Sequence, residues 1–372
     1  MDFDFSPVQK EIQHQARRLL SERCDLRAVR RVLDDGRLWD EALWRQVAEL
    51  GWLGAAIPEA YGGLGLGGDT LAVIAEELGR ALAPLPLVAS IYLAAPCVLH
   101  AGSEAQRREW LPPLAAGERV ATLAAAEGLV GLSEPSRHAA SVRDGRLSGV
   151  KQPVPDGLLA DWAVVSARDE AGVTGLYIVD LQGPGVTREA LASIDPTRPV
   201  ARVAFDGAPA LHLEGQPDGR VVLDRVLDEA AVWIAFEQVG GAEAALALSV
   251  DYARIRHAFG RPIGSFQGIK HKLADMYTRN QLARANACCG AWALTADAGE
   301  LPLAAASARV AACEAAEFAA KETIQTHGGI GATWEADPHL FYRRARSLQC
   351  LLDGPAVWRE RLVSALAARV GA

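Results

Sequence analysis

Apolar residues recur at threes, fours and sevens between Arg225 and His257, at Val232, Val239, Ala242, Leu246 and Val250, with no proline between them. That spacing predicts a long helix. Gly260 and Pro262 stop it, because glycine takes a left-handed cap and proline cannot continue helical hydrogen bonding. Arg256 and Phe259, three apart, are then expected to share a face in its last turn. A second helix opens after Gly264-Ser265, with Phe266, Ile269, Leu273 and Met276 apolar and Gln267, Lys270 and Lys272 between them. A third runs from about Leu303 into the glycine cluster at Gly328.

The N-terminal part also reads as helical. Ser6-Pro7 serves as N-cap and first helical residue for a stripe of Ile12, Ala16, Leu19 and Leu20, and more helices are expected at about 40–50, 69–82, 86–101 and 103–116. Near Glu118 the texture changes to short runs of β-formers: Val120–Ala126, Ser141–Val150, Trp162–Ala167, Gly175–Val179, Val200–Phe205 and Arg220–Leu223. Asp144-Gly145 marks the clearest hairpin turn. From Leu223 onward the helical pattern returns and persists.

Composition narrows the class. A chain of 372 residues, 50% hydrophobic, can bury a large core and allows two or three domains. The net charge of -8 and the scattered basic residues argue against nucleic acid as a partner. The six cysteines show neither metal-ligand spacing nor a disulfide framework and suit a reducing compartment. The opening MDFDF lacks a charged-then-apolar leader pattern, so a cytoplasmic protein is expected. The apolar run Ala81–Leu99 is broken by Pro84, Pro86 and Pro96, which suits core better than a membrane span.

Two stretches carry candidate chemistry. In Arg256-x-x-Phe259-Gly260-x-Pro262-Ile263-x-x-Phe266-Gln267, a guanidinium and an aromatic meet a glycine/proline turn. The residues alone leave two readings open: Arg254, Arg256, His257 and Arg261 cap the last helical carbonyls, or Arg256 grips an anion. In Gln325-Thr326-His327-Gly328-Gly329-Ile330-Gly331, three glycines in four residues exceed what a helix cap requires and let a ligand approach the backbone. His327 is expected to pack beside that turn. A third glycine-rich stretch, Ile57-Pro58-Glu59-x-Tyr61-Gly62-Gly63-x-Gly65, lacks a preceding strand and a following lysine and reads as a structural loop.

Both candidate stretches resemble the signatures of acyl-CoA dehydrogenases, and the Pro-Glu-x-Tyr-Gly-Gly loop is similar to one in that family's N-terminal domain. Glu335 and the run Tyr342-Arg343-Arg344-Ala345-Arg346 resemble the acidic residue and arginine-rich helix that come after the family's second signature. The resemblance covers essentially the whole chain. It implies an α+β architecture: an N-terminal α-helical domain (1–118), a middle β domain (119–224) and a C-terminal four-helix bundle (225–372). It also implies FAD as cofactor, contacted across subunits by Arg256, Phe259, Gln267, Gln325, Gly328 and Gly329. An acyl-CoA substrate, an electron-accepting flavoprotein and a tetramer of identical or related chains are its implied partners.

The family's chemistry needs a carboxylate to remove the α-proton of the thioester. Its usual position falls on Leu352, and the displaced pair Asp353-Gly354 makes Asp353 the candidate base, with a solvated turn acid as the alternative. A less common position falls on Ala230, while the neighbouring Glu229 would point about 100° away around the helix. Two segments that face the flavin in the family depart from its pattern. Thr-Glu-Pro-Gly-Ala-Gly-Ser-Asp is replaced by residues 126–133, Ala-Glu-Gly-Leu-Val-Gly-Leu-Ser, and Trp-Ile-Thr by Pro153-Val154-Pro155. Proline offers neither the hydroxyl nor a backbone N–H. The pattern is similar to one subunit of the heteromeric acyl-CoA dehydrogenases of bacterial steroid degradation. A homo-oligomer using Asp353 and a catalytically silent CoA-binding scaffold are the other expectations.

Overall fold

The computed structural model describes residues 5–132, 134, 137–216, 218–296 and 299–370. Helices come first: α1 (Pro7–Arg23), α2 (Leu26–Asp34), α3 (Glu41–Glu49), α4 (Gly68–Arg80), a π-helical stretch Val88–Ala94 leading into α5 (Ala95–Ala101), and α6 (Glu104–Ala115). Strands follow: β1 (Ala121–Ala124), β2 (Ser141–Arg143), β3 (Arg146–Pro155), β4 (Trp162–Arg168), β5 (Thr174–Asp180), β6 (Val186–Leu191), β7 (Val200–Pro209) and β8 (Leu211–His212). The remainder is α7 (Gly219–Ile255), the short pair β9 (His257–Ala258) and β10 (Arg261–Pro262), α8 (Gln267–Ala296), α9 (Leu301–His327), α10 (Pro338–Leu351) and α11 (Pro355–Val370). The helix, strand, helix order read from the sequence is therefore present.

Local chemistry explains most of these boundaries. Ser6 Oγ accepts from the Gln9 N–H at 3.2 Å and Gln9 Oε1 accepts from the Ser6 N–H at 2.8 Å, a capping box that starts α1 with Pro7 in its first turn. Asp144 and Gly145 both take positive φ, 50° and 69°, so the β2–β3 turn follows the right-handed strand twist. One strand expected from the sequence is not there. Residues 220–223 form the start of α7, where the Asp218 carboxylate accepts from the Arg220 N–H at 3.0 Å; this cap outweighs the β preference of Val221 and Val222.

The chain divides into two compact units interleaved in sequence: residues 32–71 with 84–230, and residues 1–31 with 72–83 and 231–372. In the first, the sheet runs β6-β7-β3-β2-β4-β5-β8, with β1 parallel to β4 on a branch. In the second, α4 and α7 meet through glycines: a Cβ on Gly79 would lie 1.9 Å from the Glu237 carbonyl oxygen, and one on Gly240 1.9 Å from that of Glu76. The helices cross at backbone contact, which only glycine allows. Among the described helices only α7 is long and apolar enough to cross a membrane, and 67% of its most apolar window is buried inside the protein.

Candidate functional site

The two candidate stretches converge at one edge of the second unit. Helix α7 ends at Ile255, earlier than the apolar spacing suggested, so Arg256 and Phe259 do not share a helical face. They belong instead to a β9–β10 hairpin, paired Ala258 to Arg261 and His257 to Pro262, whose turn is Phe259-Gly260. Two left-handed residues in succession make a tight hairpin turn, here at φ 51° and 79°. Glycine accepts this freely. Phenylalanine does not, and a left-handed non-glycine residue costs on the order of 1 kcal/mol. Phe259 is also 95% exposed, touching Phe266 edge-on at 6.2 Å.

The other basic residues at this helix end are engaged, and of them His257 is the one bonded to a helix carbonyl. His257 Nδ1 lies 3.1 Å from the Ile255 carbonyl oxygen, Arg254 stands 3.8 Å from Asp251, and the Arg261 guanidinium stacks over Phe266 at 4.1 Å. The Arg256 guanidinium is exposed and makes no hydrogen bond or ion pair among the described residues. Its backbone is fixed on both sides: its N–H donates to the Tyr252 carbonyl at 2.9 Å and its carbonyl accepts from Ile263 at 2.8 Å. Gln267, the first residue of α8, and Gln325, near the end of α9, are likewise exposed.

Each glycine of the second stretch has its own reason, or none inside the chain. Gly328 follows α9 at φ 68°, a conformation suited to glycine, and its N–H donates to the Gln325 carbonyl. A Cβ on Gly331 would strike the Ile324 carbonyl oxygen at 2.6 Å. Gly329 has neither a positive φ nor any atom within 4 Å of an added Cβ. The chain's own packing does not require that glycine. His327 packs beside the turn as the sequence suggested, buried and stacked on Tyr252.

The wall formed by residues 126–132 and β3, in the first unit, is built in the opposite way. Its backbone is occupied by itself: the Gln152 N–H donates to the Ala126 carbonyl at 2.8 Å, the Gln152 carbonyl accepts from Gly128 at 2.7 Å, and Glu127 and Val130 bond to each other. Pro153 has no N–H, Val154 is fully buried, and the Pro155 carbonyl accepts from the Thr122 hydroxyl at 2.6 Å. Ser133 lies outside the described residues.

Behind this wall sits a cluster that the sequence reading missed. Lys151 is fully buried, with Nζ donating to Glu127 Oε1 at 2.7 Å, to the Ala125 carbonyl at 3.1 Å and to Ser166 Oγ at 3.3 Å. Glu127 also accepts from the Ala139 and Ala140 N–H groups at 2.6 and 3.0 Å. Burial pushes the lysine down to about 8, against the opposing pull of Glu127. Burial raises the Glu127 carboxyl, but Lys151 and the two N–H groups hold it below the ordinary carboxylate range. The available signal was period-two: position 151 shares the inward parity of Leu147 on β3, so a lysine there needed a buried partner.

The two carboxylates weighed as proton acceptors differ. Glu229 is clasped by His100 Nε2, 3.0 Å from both oxygens, and by Arg225 Nε at 3.0 Å. Burial raises it, yet the hydrogen bonds and charge of His100, then of Arg225, outweigh that and keep it below the ordinary range. Asp353 sits in the α10–α11 link, half-buried at φ 59°, after Leu352, whose carbonyl accepts from Trp358 Nε1 at 2.6 Å. The structure does not bring Asp353 to the Arg256 edge. Arg309, which donates to the Leu348 carbonyl beside that link, and His327 are eighteen residues apart on α9, about 27 Å of helix.

Comparison with known proteins gives the family. The model for the acyl-CoA dehydrogenase N-terminal domain matches residues 6–118 and that for the C-terminal domain matches residues 218–359. The chain belongs to the acyl-CoA dehydrogenase family. It is 35% identical over 340 residues to acyl-CoA dehydrogenase IpdE2 of Mycobacterium tuberculosis, covering 91% of this chain and 90% of that protein. Among solved structures, the Tcur3481-Tcur3483 steroid ACAD is similar at a TM-score of 0.86 and 32% identity, over 98% of this chain and 99% of that one. The ChsE4-ChsE5 complex from Mycobacterium tuberculosis is similar at 0.88 and 27%, over 99% of both chains.

Acyl-CoA dehydrogenases are FAD-dependent oxidoreductases acting on acyl-CoA. Two features of the Arg256 edge fit FAD: an uncommitted guanidinium suited to a diphosphate, and backbone at Gly329 left open to an approaching group. The wall at β3 offers much less. With the Gln152 backbone satisfied internally and a proline on each side of Val154, its backbone presents little for a flavin ring to bond.

Proposed function

We propose that this chain works in the cytoplasm as one subunit of a hetero-oligomeric acyl-CoA dehydrogenase, lending its Arg256 edge to a flavin held chiefly by a related partner chain. Phe259 carries this reading: a large apolar side chain held in solvent on left-handed backbone gains only an edge contact with Phe266 within its own chain. Arg256 would hold the diphosphate, Phe259, Gln267 and Gln325 would flank the cofactor, and Gly328 and Gly329 would let it approach. When bound, FAD accepts the hydride leaving the β-carbon of the acyl thioester. The cysteine spacing, which shows no disulfide framework, suits a reducing compartment. Two relatives bear on the substrate class and assembly: one is described as a steroid ACAD, the other as a complex of two named chains. By that analogy the acyl group is steroid-derived and the assembly contains two unlike chains; a tetramer that passes electrons to a further flavoprotein is what the family resemblance implies.

The test is to produce the chain alone and with the related subunit encoded beside it, and to record mass and flavin absorbance. The expected result is a yellow mixed assembly and a colourless or weakly coloured lone chain. A yellow, active homo-oligomer would overturn the proposal.

Asp353 favours a second reading, a self-sufficient homo-oligomer, because a half-buried carboxylate on left-handed backbone is held in place rather than drifting on a surface turn. As the proton acceptor, its change Asp353→Asn should leave FAD and acyl-CoA binding intact while anaerobic flavin reduction slows at least ~100-fold. Under the favoured reading the mixed assembly keeps its reduction rate within a few-fold.

A further inference from the structure

Helices α7 and α9 reach their C-terminal ends side by side, joined by two layers of side chains. In the inner layer Ser249 Oγ donates to Thr323 Oγ1 at 3.0 Å, and Thr323 donates to the Ala319 carbonyl at 2.7 Å; both hydroxyl residues are completely buried. In the outer layer, three residues later on α7 and four later on α9, the Tyr252 ring stacks on the His327 imidazole, with 4.1 Å between centroids and 26° between planes. His327 Nδ1 lies 2.8 Å from the Thr323 carbonyl oxygen. A carbonyl only accepts, so Nδ1 carries the proton, and turning the ring would cost that bond.

Just beyond this outer layer both segments leave their helices. Arg256 comes one turn after Tyr252, bonded to its carbonyl, and Gly328 comes directly after His327. The stack thus stands next to both the hairpin and the glycine turn, where it bears on the distance between the Arg256 guanidinium and the open backbone at Gly329.

We infer that Tyr252 and His327 are positioning residues for the dinucleotide: they hold the Arg256 hairpin and the Gly328-Gly329 turn in the register needed to grip one FAD together. This rests on the reading that the edge holds FAD. A contact set by loops alone is loose, and a ring held by its hydrogen bond to the Thr323 carbonyl limits that freedom.

The experiment uses the flavin-containing assembly, stripped of flavin and titrated with FAD, with Kd read from flavin fluorescence and melting temperature measured alongside. Tyr252 is only half-buried, so its variants should fold. Tyr252→Leu and His327→Ala should each raise the Kd for FAD about tenfold or more, while Tyr252→Phe, which keeps the ring, stays within about threefold of the parent. A Kd within twofold in Tyr252→Leu, whatever the melting temperature does, overturns the inference. Arg256→Ala separates the two levels. If it weakens FAD and Tyr252→Leu does not, only the positioning role fails; if neither does, the edge does not hold FAD.

Discussion

Arg256 and Lys151 are two cations in or beside segments that contact flavin in the family, and the chain uses them in opposite ways. Arg256 stands in solvent with no side-chain partner among the described residues, on a backbone fixed at both ends. Lys151 is wholly enclosed and donates to a carboxylate, a carbonyl and a hydroxyl. One region is stabilised by its neighbours but leaves its chemistry unspent; the other spends its polar groups on its own fold. The difference teaches that two regions in different compact units of one chain can be built to opposite ends, one leaving a cation exposed and the other closing on itself.

The strongest way to break this contrast is at Lys151. Lys151→Met removes the cation and strands the Glu127 carboxylate, which should cost on the order of 3–5 kcal/mol in urea unfolding. A loss below about 1 kcal/mol would mean that Glu127 finds water and that the wall is less closed than its hydrogen bonds imply.

At the other region the effect moves from stability to ligand. Arg256→Ala should leave unfolding unchanged within about 0.5 kcal/mol but cost about 1.5–3 kcal/mol of FAD affinity in the assembly, more than tenfold. Unchanged flavin retention would return Arg256 to a solvated helix-end cation.

Titration sharpens the interior side. With Lys151 held near 8 when folded and 10.5 for a free side chain, the unfolded chain binds more protons between those values, so stability should rise with pH across that window. Glu127, also held low, slopes the same way at acid pH: its contribution is present above the ordinary carboxylate pKa and is lost as pH falls through the folded value. The alkaline rise should amount to about 3 kcal/mol and vanish in Lys151→Met, measured by denaturant unfolding at successive pH values.

The smallest effect is at Phe259. Phe259→Gly relieves left-handed strain and should stabilise the lone chain by about 0.5–1 kcal/mol, while loosening flavin in the assembly. Stabilisation without any change in flavin retention would show that the aromatic has no partner beyond its chain.

Periodicity and punctuation were enough for the helix, strand, helix order, the Ser6-Pro7 start and the Asp144-Gly145 turn, because those depend on near neighbours. Residues 220–223 were misread for the same reason turned round: two valines favour strand locally, and a cap from Asp218 with the long helix behind it overrules them. The sequence also carried both candidate stretches, since glycine clusters and an arginine beside an aromatic are local signals. It left open whether Arg256 caps a helix or waits for an anion. Only the folded chain decides that, by giving the cap to His257 and leaving the Arg256 guanidinium without a partner among the described residues. Tertiary structure alone decides that Gly329 is not needed for packing, that Tyr252 meets His327 across 75 residues, and that Lys151 closes on Glu127. Each of these is a contact, or an absence of contact, between distant segments, and no pattern along a single chain encodes which distant segments will meet.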